Sequence, residues 1–147
     1  MNYLTEQLNR FTEYHGRRFR VICSFDNVLE VQRLFKEDSL TAQEKLEQSL
    51  VMLTGGGFRV WLLTPGEKAE LLEQIYKEQI LLPKKHGPAK RERILDFSLD
   101  SEFIYASFMQ QYQIDLIDCQ GHLHWKKFIA LFQGLSEDTK IREIMKI

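Results

Sequence analysis

Apolar residues recur at helical spacing over most of this chain, and only one short stretch alternates them with charge. That stretch is the second arm of FTEYHGRRFRVICSF, where Phe19 and Val21 alternate with Arg18, Arg20 and Ile22. Alternation of this kind fits a strand covered on one face. Phe11–Tyr14 and Arg17–Ile22 flank His15-Gly16, and Gly16 can supply the positive φ a tight turn needs. A small hairpin within residues 11–23 is predicted. Two strands are marginal in water, so it must dock on helices.

Helical periodicity then takes over. Ser24 can cap a helix whose apolar positions are Phe25, Val28, Leu29, Val31, Leu34 and Phe35, ending near Lys36–Asp38. Thr41 and Glu44 form a capping box, with Ala42, Leu46, Leu50 and Leu53 on the face behind it. That helix must stop at Gly55-Gly56-Gly57. FRVWLL after the glycines is a short strand or an extended lead-in. Thr64-Pro65-Gly66-Glu67 is a second capping box with proline at the first helical position, opening a helix over Pro65–Ile80. Leu71, Leu72, Ile75, Tyr76 and Gln79 or Ile80 face a partner there. Glu67, Lys68, Glu70, Glu73, Lys77 and Glu78 form the solvated side.

The last third, residues 95–147, carries the densest apolar pattern. Ser98–Tyr112 loads Phe103, Ile104, Phe108, Met109 and Tyr112, and Gln120–Phe132 loads Trp125, Phe128, Ile129 and Phe132. QIDLIDCQ between them is short, so an antiparallel helix pair is expected as the core. The fold class is mainly α with a small N-terminal β-hairpin. At 147 residues the chain is expected to form a single domain. Its helical segments span 24–82, a basic Pro/Gly linker spans 83–94, and the C-terminal helical region follows.

Composition narrows the chemistry. Hydrophobic content of 44% with 28% charge is ordinary for a soluble globular protein, and a net charge of −1 argues against a dedicated nucleic-acid binder. No apolar run approaches the roughly 18 residues of a membrane span, and no secretory signal is expected at the N-terminus. Cys23 and Cys119 have no metal-type spacing and read as buried thiols rather than a disulfide. Lys84, Lys85, Lys90, Arg91 and Arg93 against Glu92 make the linker basic, which fits solvated charge or an acidic protein partner. Arg17, Arg18 and Arg20 read as charge that deters edge pairing. The triple glycine lacks a following Lys-Ser or Lys-Thr and so is a hinge or C-cap, not a phosphate cradle.

Catalytic patterns are missing from the sequence: no G-x-S-x-G, Walker, H-E-x-x-H or Rossmann spacing occurs. Cys119, His122 and His124 are the one constellation with metal-ligating chemistry. His124 lies two beyond His122 and points away from the face Cys119 and His122 could share, and a tetrahedral zinc site needs a further ligand. His124 instead reads as a structural neighbour of Trp125 at a helix start. Asp96 with Asp100, and Glu137 with Asp138, sit where helix N-termini stabilise carboxylates. No catalytic, cofactor or metal residue is assigned.

Two segments carry a family resemblance. The first is Ile104, Tyr105, Ala106, Phe108, Gln110, Tyr112, Ile114, Asp115 and Leu116. The second is Leu123, His124, Trp125, Lys127, Phe128, Ala130, Leu131, Gly134, Leu135, Glu137, Asp138 and Thr139. At this spacing they resemble the C-terminal signature of the bacteriophage gene product fifteen family, from phages and prophages of Gram-positive bacteria. Gln113 stands where a glycine is common in that family, and Lys126 where a second tryptophan is common. The resemblance implies a non-enzymatic protein of tail morphogenesis in the bacterial host cytoplasm, a tail assembly chaperone. Its implied partners are the tape-measure protein, tail-tube subunits and further copies of itself, with no membrane and no nucleic acid. A structural tail or head-tail connector subunit is the alternative, and a small nucleic-acid-binding regulator a third reading. Partner-binding residues are unknown at this level. The outer faces of the helices at Thr41–Thr54 and Pro65–Ile80 are candidates.

Overall fold

The computed structural model describes residues 1–81, 97, 99–136, 138, 139 and 141. The predicted linker at 83–94 lies outside them, as do Asp96 and Glu137. The chain divides into two compact units, Met1–Leu81 and Leu82–Ile147. The protein is mainly α, with one two-stranded antiparallel hairpin near the N-terminus.

In the first unit β1 (Phe11–Tyr14) pairs with β2 (Arg17–Arg20), placing Thr12 opposite Phe19 and Glu13 opposite Arg18. Both loop residues have positive φ, His15 at 49° and Gly16 at 75°. That is the two-residue turn whose twist matches a hairpin. Thr12, Phe19 and Val21 are buried while Arg18 and Arg20 point to solvent, as the alternation predicts. Arg18 also lies 4.3 Å over the Phe11 ring.

Helix α1 (Phe25–Phe35) starts at Ser24, whose side chain makes no capping bond. Its buried stripe is Phe25, Val28 and Val31, and Phe35, expected on that stripe, is exposed. Asn27 secures the helix start by donating to the Ile22 and Met52 carbonyls at 2.6 and 2.8 Å. Helix α2 (Ala42–Thr54) shows the full Thr41–Glu44 capping box. It ends at Gly55, whose φ of 77° belongs to the left-handed region a C-cap favours. Ser49, Leu50 and Leu53 form its buried face, whereas Ala42 is exposed.

FRVWLL is not a strand. Phe58–Trp61 forms a single helical turn, α3, closed by Trp61 N–H to the Gly57 carbonyl and Leu62 N–H to that of Phe58, both at 3.1 Å. A lone strand here has no ladder partner, while one helical turn satisfies its own backbone. Helix α4 (Pro65–Ile75) carries the second capping box and then widens into a π-helical turn over Tyr76–Ile80. Leu81 N–H reaches back to the Tyr76 carbonyl at 2.7 Å. The wider turn buries Gln79 and Ile80 together, and Gln79 Nε2 donates to the Phe11 carbonyl at 3.4 Å.

Lys68, assigned by its sequence position to the solvated side of α4, is buried and bridges to Glu47 of α2 at 2.9 Å. A long aliphatic stem lets its ammonium reach a carboxylate while methylenes pack. That bond holds the Glu47 carboxyl below the usual carboxylate range.

In the second unit α5 (Ser101–Tyr112) and α6 (Trp125–Gln133) meet through aromatic rings. Phe108 stacks on Phe128 with centroids 5.3 Å apart and planes 5° from parallel. Phe128 also lies within 5.7 Å of Trp125 and 6.4 Å of Phe132, and Phe97 touches all three α6 rings at 5.6–6.2 Å. Every apolar position predicted for α6 is buried. On α5 the stripe is narrower than predicted. Ile104, Ser107 and Phe108 take the covered side of the helix and are buried, while Phe103 and Met109 lie off it and are exposed.

Gln113 ends α5 at φ 54°, in the left-handed region, with its N–H bonded to the Met109 carbonyl at 3.1 Å. The glycine common here in the resembling family has a physical reason. A Cβ in this conformation costs about 1–2 kcal/mol.

Phe128→Ala is expected to destabilise the second unit by about 3–5 kcal/mol in denaturant melts, since it empties the centre of the ring cluster. Gln113→Gly is expected to stabilise it by roughly 0.5–1 kcal/mol in the same measurement. A neutral or negative effect of Gln113→Gly would show that the exposed glutamine side chain compensates the strained backbone.

Candidate functional site

The signature residues turn mostly inward. Ile104, Phe108, Leu116, Trp125, Phe128, Leu135 and Thr139 are buried. Tyr112 donates its hydroxyl to the Leu131 carbonyl at 2.8 Å. A Cβ on Gly134 would stand 3.0 Å from that same hydroxyl, so glycine leaves room for the close approach of Tyr112 to the end of α6. Asp115 accepts the Ile117 and Asp118 amides at 3.0 and 3.4 Å. A bond to that carboxylate also raises the Tyr105 phenol above its ordinary value. The motif is therefore chiefly a scaffold that builds the unit.

His124 takes a role the sequence only approached. It is the N-cap of α6, and its Nδ1 accepts the Lys126 amide at 3.0 Å. An imidazole can accept at Nδ1 only when that nitrogen carries no proton, so the neutral ring holds its hydrogen on Nε2. Nε2 is buried and meets no hydrogen-bond partner among the described residues. Burial, then the positive charges of Lys126 and Lys127, push the His124 pKa down to about 4.

These features leave little for a metal. Cys119 and His122 lie in the turns between α5 and α6, and Nδ1 of His124 is occupied by the backbone. Among the described residues no group of three or more His, Cys, Asp or Glu side chains could hold a metal ion. Cys23 is buried and Cys119 half-buried, and no disulfide joins them. At the hairpin turn Tyr14 donates to Glu70, which raises the Tyr14 phenol to about 12. His15 stands 3.8 Å from the same carboxylate. This group is solvent-exposed and ties the hairpin to α4.

The outer faces of α2 and α4 are largely polar, with Gln43, Glu44, Gln48, Glu70, Glu73, Lys77 and Glu78. The most apolar exposed feature of the first unit lies between these helices in sequence. Phe58 and Trp61 of α3 are each 71% exposed, and Leu62 beside them is 55% exposed. Their rings stack at 6.1 Å. Val60 alone of the turn is buried and anchors it. Large aromatic side chains in water invite a partner. The sequence pattern did not single out this site, because an apolar run such as FRVWLL also fits a short strand or an extended lead-in. The overlooked signal was the i, i+3 spacing of Phe58 and Trp61 after a helix-stopping glycine run, which puts both rings on one side of a turn.

The folded pKa of His124 lies below its unfolded value near 6.5, so the native state favours the neutral ring. The stability this contributes is complete above about pH 6.5 and is lost as pH falls toward 4. His124→Asn keeps an N-cap acceptor without titration. Its α6 amides are expected to stay protected through that window in hydrogen exchange, while those of the wild type lose protection.

Among the described residues no helix is long and apolar enough to cross a membrane. No curated protein and no solved structure matches the chain. A family model described as Bacteriophage Gp15 protein matches residues 4–147. That match takes in the hairpin, the α3 turn and the signature unit alike, and the chain belongs to the Bacteriophage Gp15 protein family.

Proposed function

We propose that this phage protein acts without catalysis in tail morphogenesis, as a tail assembly chaperone that holds the tape-measure protein in the host cytoplasm. The observation that carries the reading is the exposed, stacked Phe58–Trp61 pair with Leu62 beside it. A chaperone needs an apolar surface that engages a client reversibly, and aromatic rings supply contact area at low cost in side-chain entropy. Family membership supports the phage context. The resemblance to proteins encoded among tail genes supports the tape-measure client and, later, tail-tube subunits that displace the chaperone. Several copies along one long helical client would combine weak contacts into durable coverage.

Co-expression with the tape-measure protein of the same phage tests this. The expected result is a soluble complex containing both chains and several copies of this protein. Phe58→Ser with Trp61→Ser is expected to lower client recovery at least tenfold while the isolated protein keeps its circular dichroism spectrum. Retention of this protein in purified virions as a defined ring, with an insoluble tape-measure chain, would replace the chaperone reading with a structural tail or connector subunit.

A further inference from the structure

The hairpin has two edges, and the fold treats them differently. The Val21 amide donates to the Arg10 carbonyl at 2.8 Å, which makes those two residues a hydrogen-bonded pair. Bonded and unbonded pairs alternate along antiparallel strands, so the Phe11–Arg20 and Glu13–Arg18 pairs are unbonded. These four residues turn their amides and carbonyls away from the ladder. On the β1 side α4 packs against the strand, and Phe11 is satisfied. Its amide donates to Asn9 Oδ1 at 3.0 Å and its carbonyl accepts from Gln79 Nε2 at 3.4 Å. On the β2 side the next outward residue, Ile22, donates to the Leu53 carbonyl and accepts from Asn27, both at 2.6 Å. The Arg18 and Arg20 backbones have no such partner among the described residues, and both residues are exposed. They form an open edge of the kind a further strand can join.

The side chains decide which strand fits. Arg18 and Arg20 project from the same face, about 7 Å apart at two-residue strand spacing. Arg18 is held over the Phe11 ring at 4.3 Å, which limits the positions its guanidinium can take. Among the described residues the ion pairs are His15–Glu70, Arg33–Glu30 and Lys68–Glu47. Neither arginine is paired in this set, not even with Glu13 across the ladder. A second copy of this edge would set arginine against arginine and be repelled, whereas carboxylates at alternate positions would meet both guanidiniums.

We propose that β2 is a docking edge for an extended acidic segment of a partner protein, which adds antiparallel as a third strand with carboxylates opposite Arg18 and Arg20. Two residues offer few ladder bonds, so the contact is weak by itself and the paired charges give it selectivity. The charge that keeps the edge from pairing with itself is the charge that selects the partner. The site stands on the hairpin alone and needs no client at Phe58 and Trp61.

The test follows binding of a fluorescent peptide, Thr-Val-Glu-Val-Glu-Val-Thr, to the full-length protein by anisotropy at low salt. The wild type is expected to bind it roughly tenfold tighter than a counterpart with lysine in place of both glutamates. Arg20→Glu, which leaves the Arg18–Phe11 contact in place, is expected to reduce that preference severalfold. A peptide methylated on the two glutamate backbone nitrogens keeps its charge but loses the donors that face β2. It is expected to bind about tenfold more weakly than the unmethylated form. In hydrogen exchange the Arg18 and Arg20 amides are expected to slow when the unmethylated peptide is bound. Equal binding of the methylated peptide overturns strand addition, because any polyanion would then satisfy the arginines. A preference untouched by Arg20→Glu, no binding at millimolar peptide, or protection that arises only elsewhere in the chain overturns the docking edge itself.

Discussion

The C-terminal unit depends on the contact between Phe108 and Phe128. Near-parallel rings 5.3 Å apart join one helix to the other, and Trp125, Phe132 and Phe97 complete the cluster around Phe128. Aromatic burial on this scale supplies much of the driving force for this small unit, and Ile104, Leu116, Ile129, Leu135 and Ile141 add buried aliphatic surface. The polar contacts can form only once the rings have set the helices side by side. Tyr112 then reaches Leu131, and Gln111 reaches Gly134. The Tyr112 hydroxyl lies in the space next to Gly134, where a Cβ would crowd it.

The N-terminal unit solves a different problem. Its hairpin has too few strands to stand alone, so it is held by what surrounds it. Phe19 and Val21 supply its buried apolar side, Gln79 from the π-turn holds the Phe11 carbonyl, and Glu70 takes the Tyr14 hydroxyl. The Lys68–Glu47 bridge ties α4 to α2 across a partly dry contact, where removal of Glu47 would leave the buried Lys68 ammonium without its partner. Against this interior, the exposed rings of Phe58 and Trp61 stand out as apolar surface.

The two units differ in what they present. The signature motif builds a scaffold, and the exposed aromatic turn lies outside that motif. Phe58 and Trp61 sit on a single helical turn anchored by Val60, with Leu62 beside them. Under the proposed chaperone function, so small an apolar surface would let a client be released again.

Local chemistry made much of the fold legible from sequence. The two T-x-x-E boxes, the turn at His15-Gly16 and the stop at Gly55 are decided within a few residues, and each appears where the pattern puts it. The α6 stripe was equally readable, because four bulky residues at helical spacing leave one way to bury them. Tertiary packing decided the rest. Lys68 is buried because Glu47 of another helix meets it, and Phe103 and Met109 stay exposed while Ile104, Ser107 and Phe108 take the covered side of α5. FRVWLL coils because no strand pairs with it. His124 caps α6 through a ring nitrogen that only the folded backbone presents with a donor. The sequence determined elements whose causes are local in the chain. The structure alone decided burial and partnership, because those depend on residues that come together only when the chain has folded.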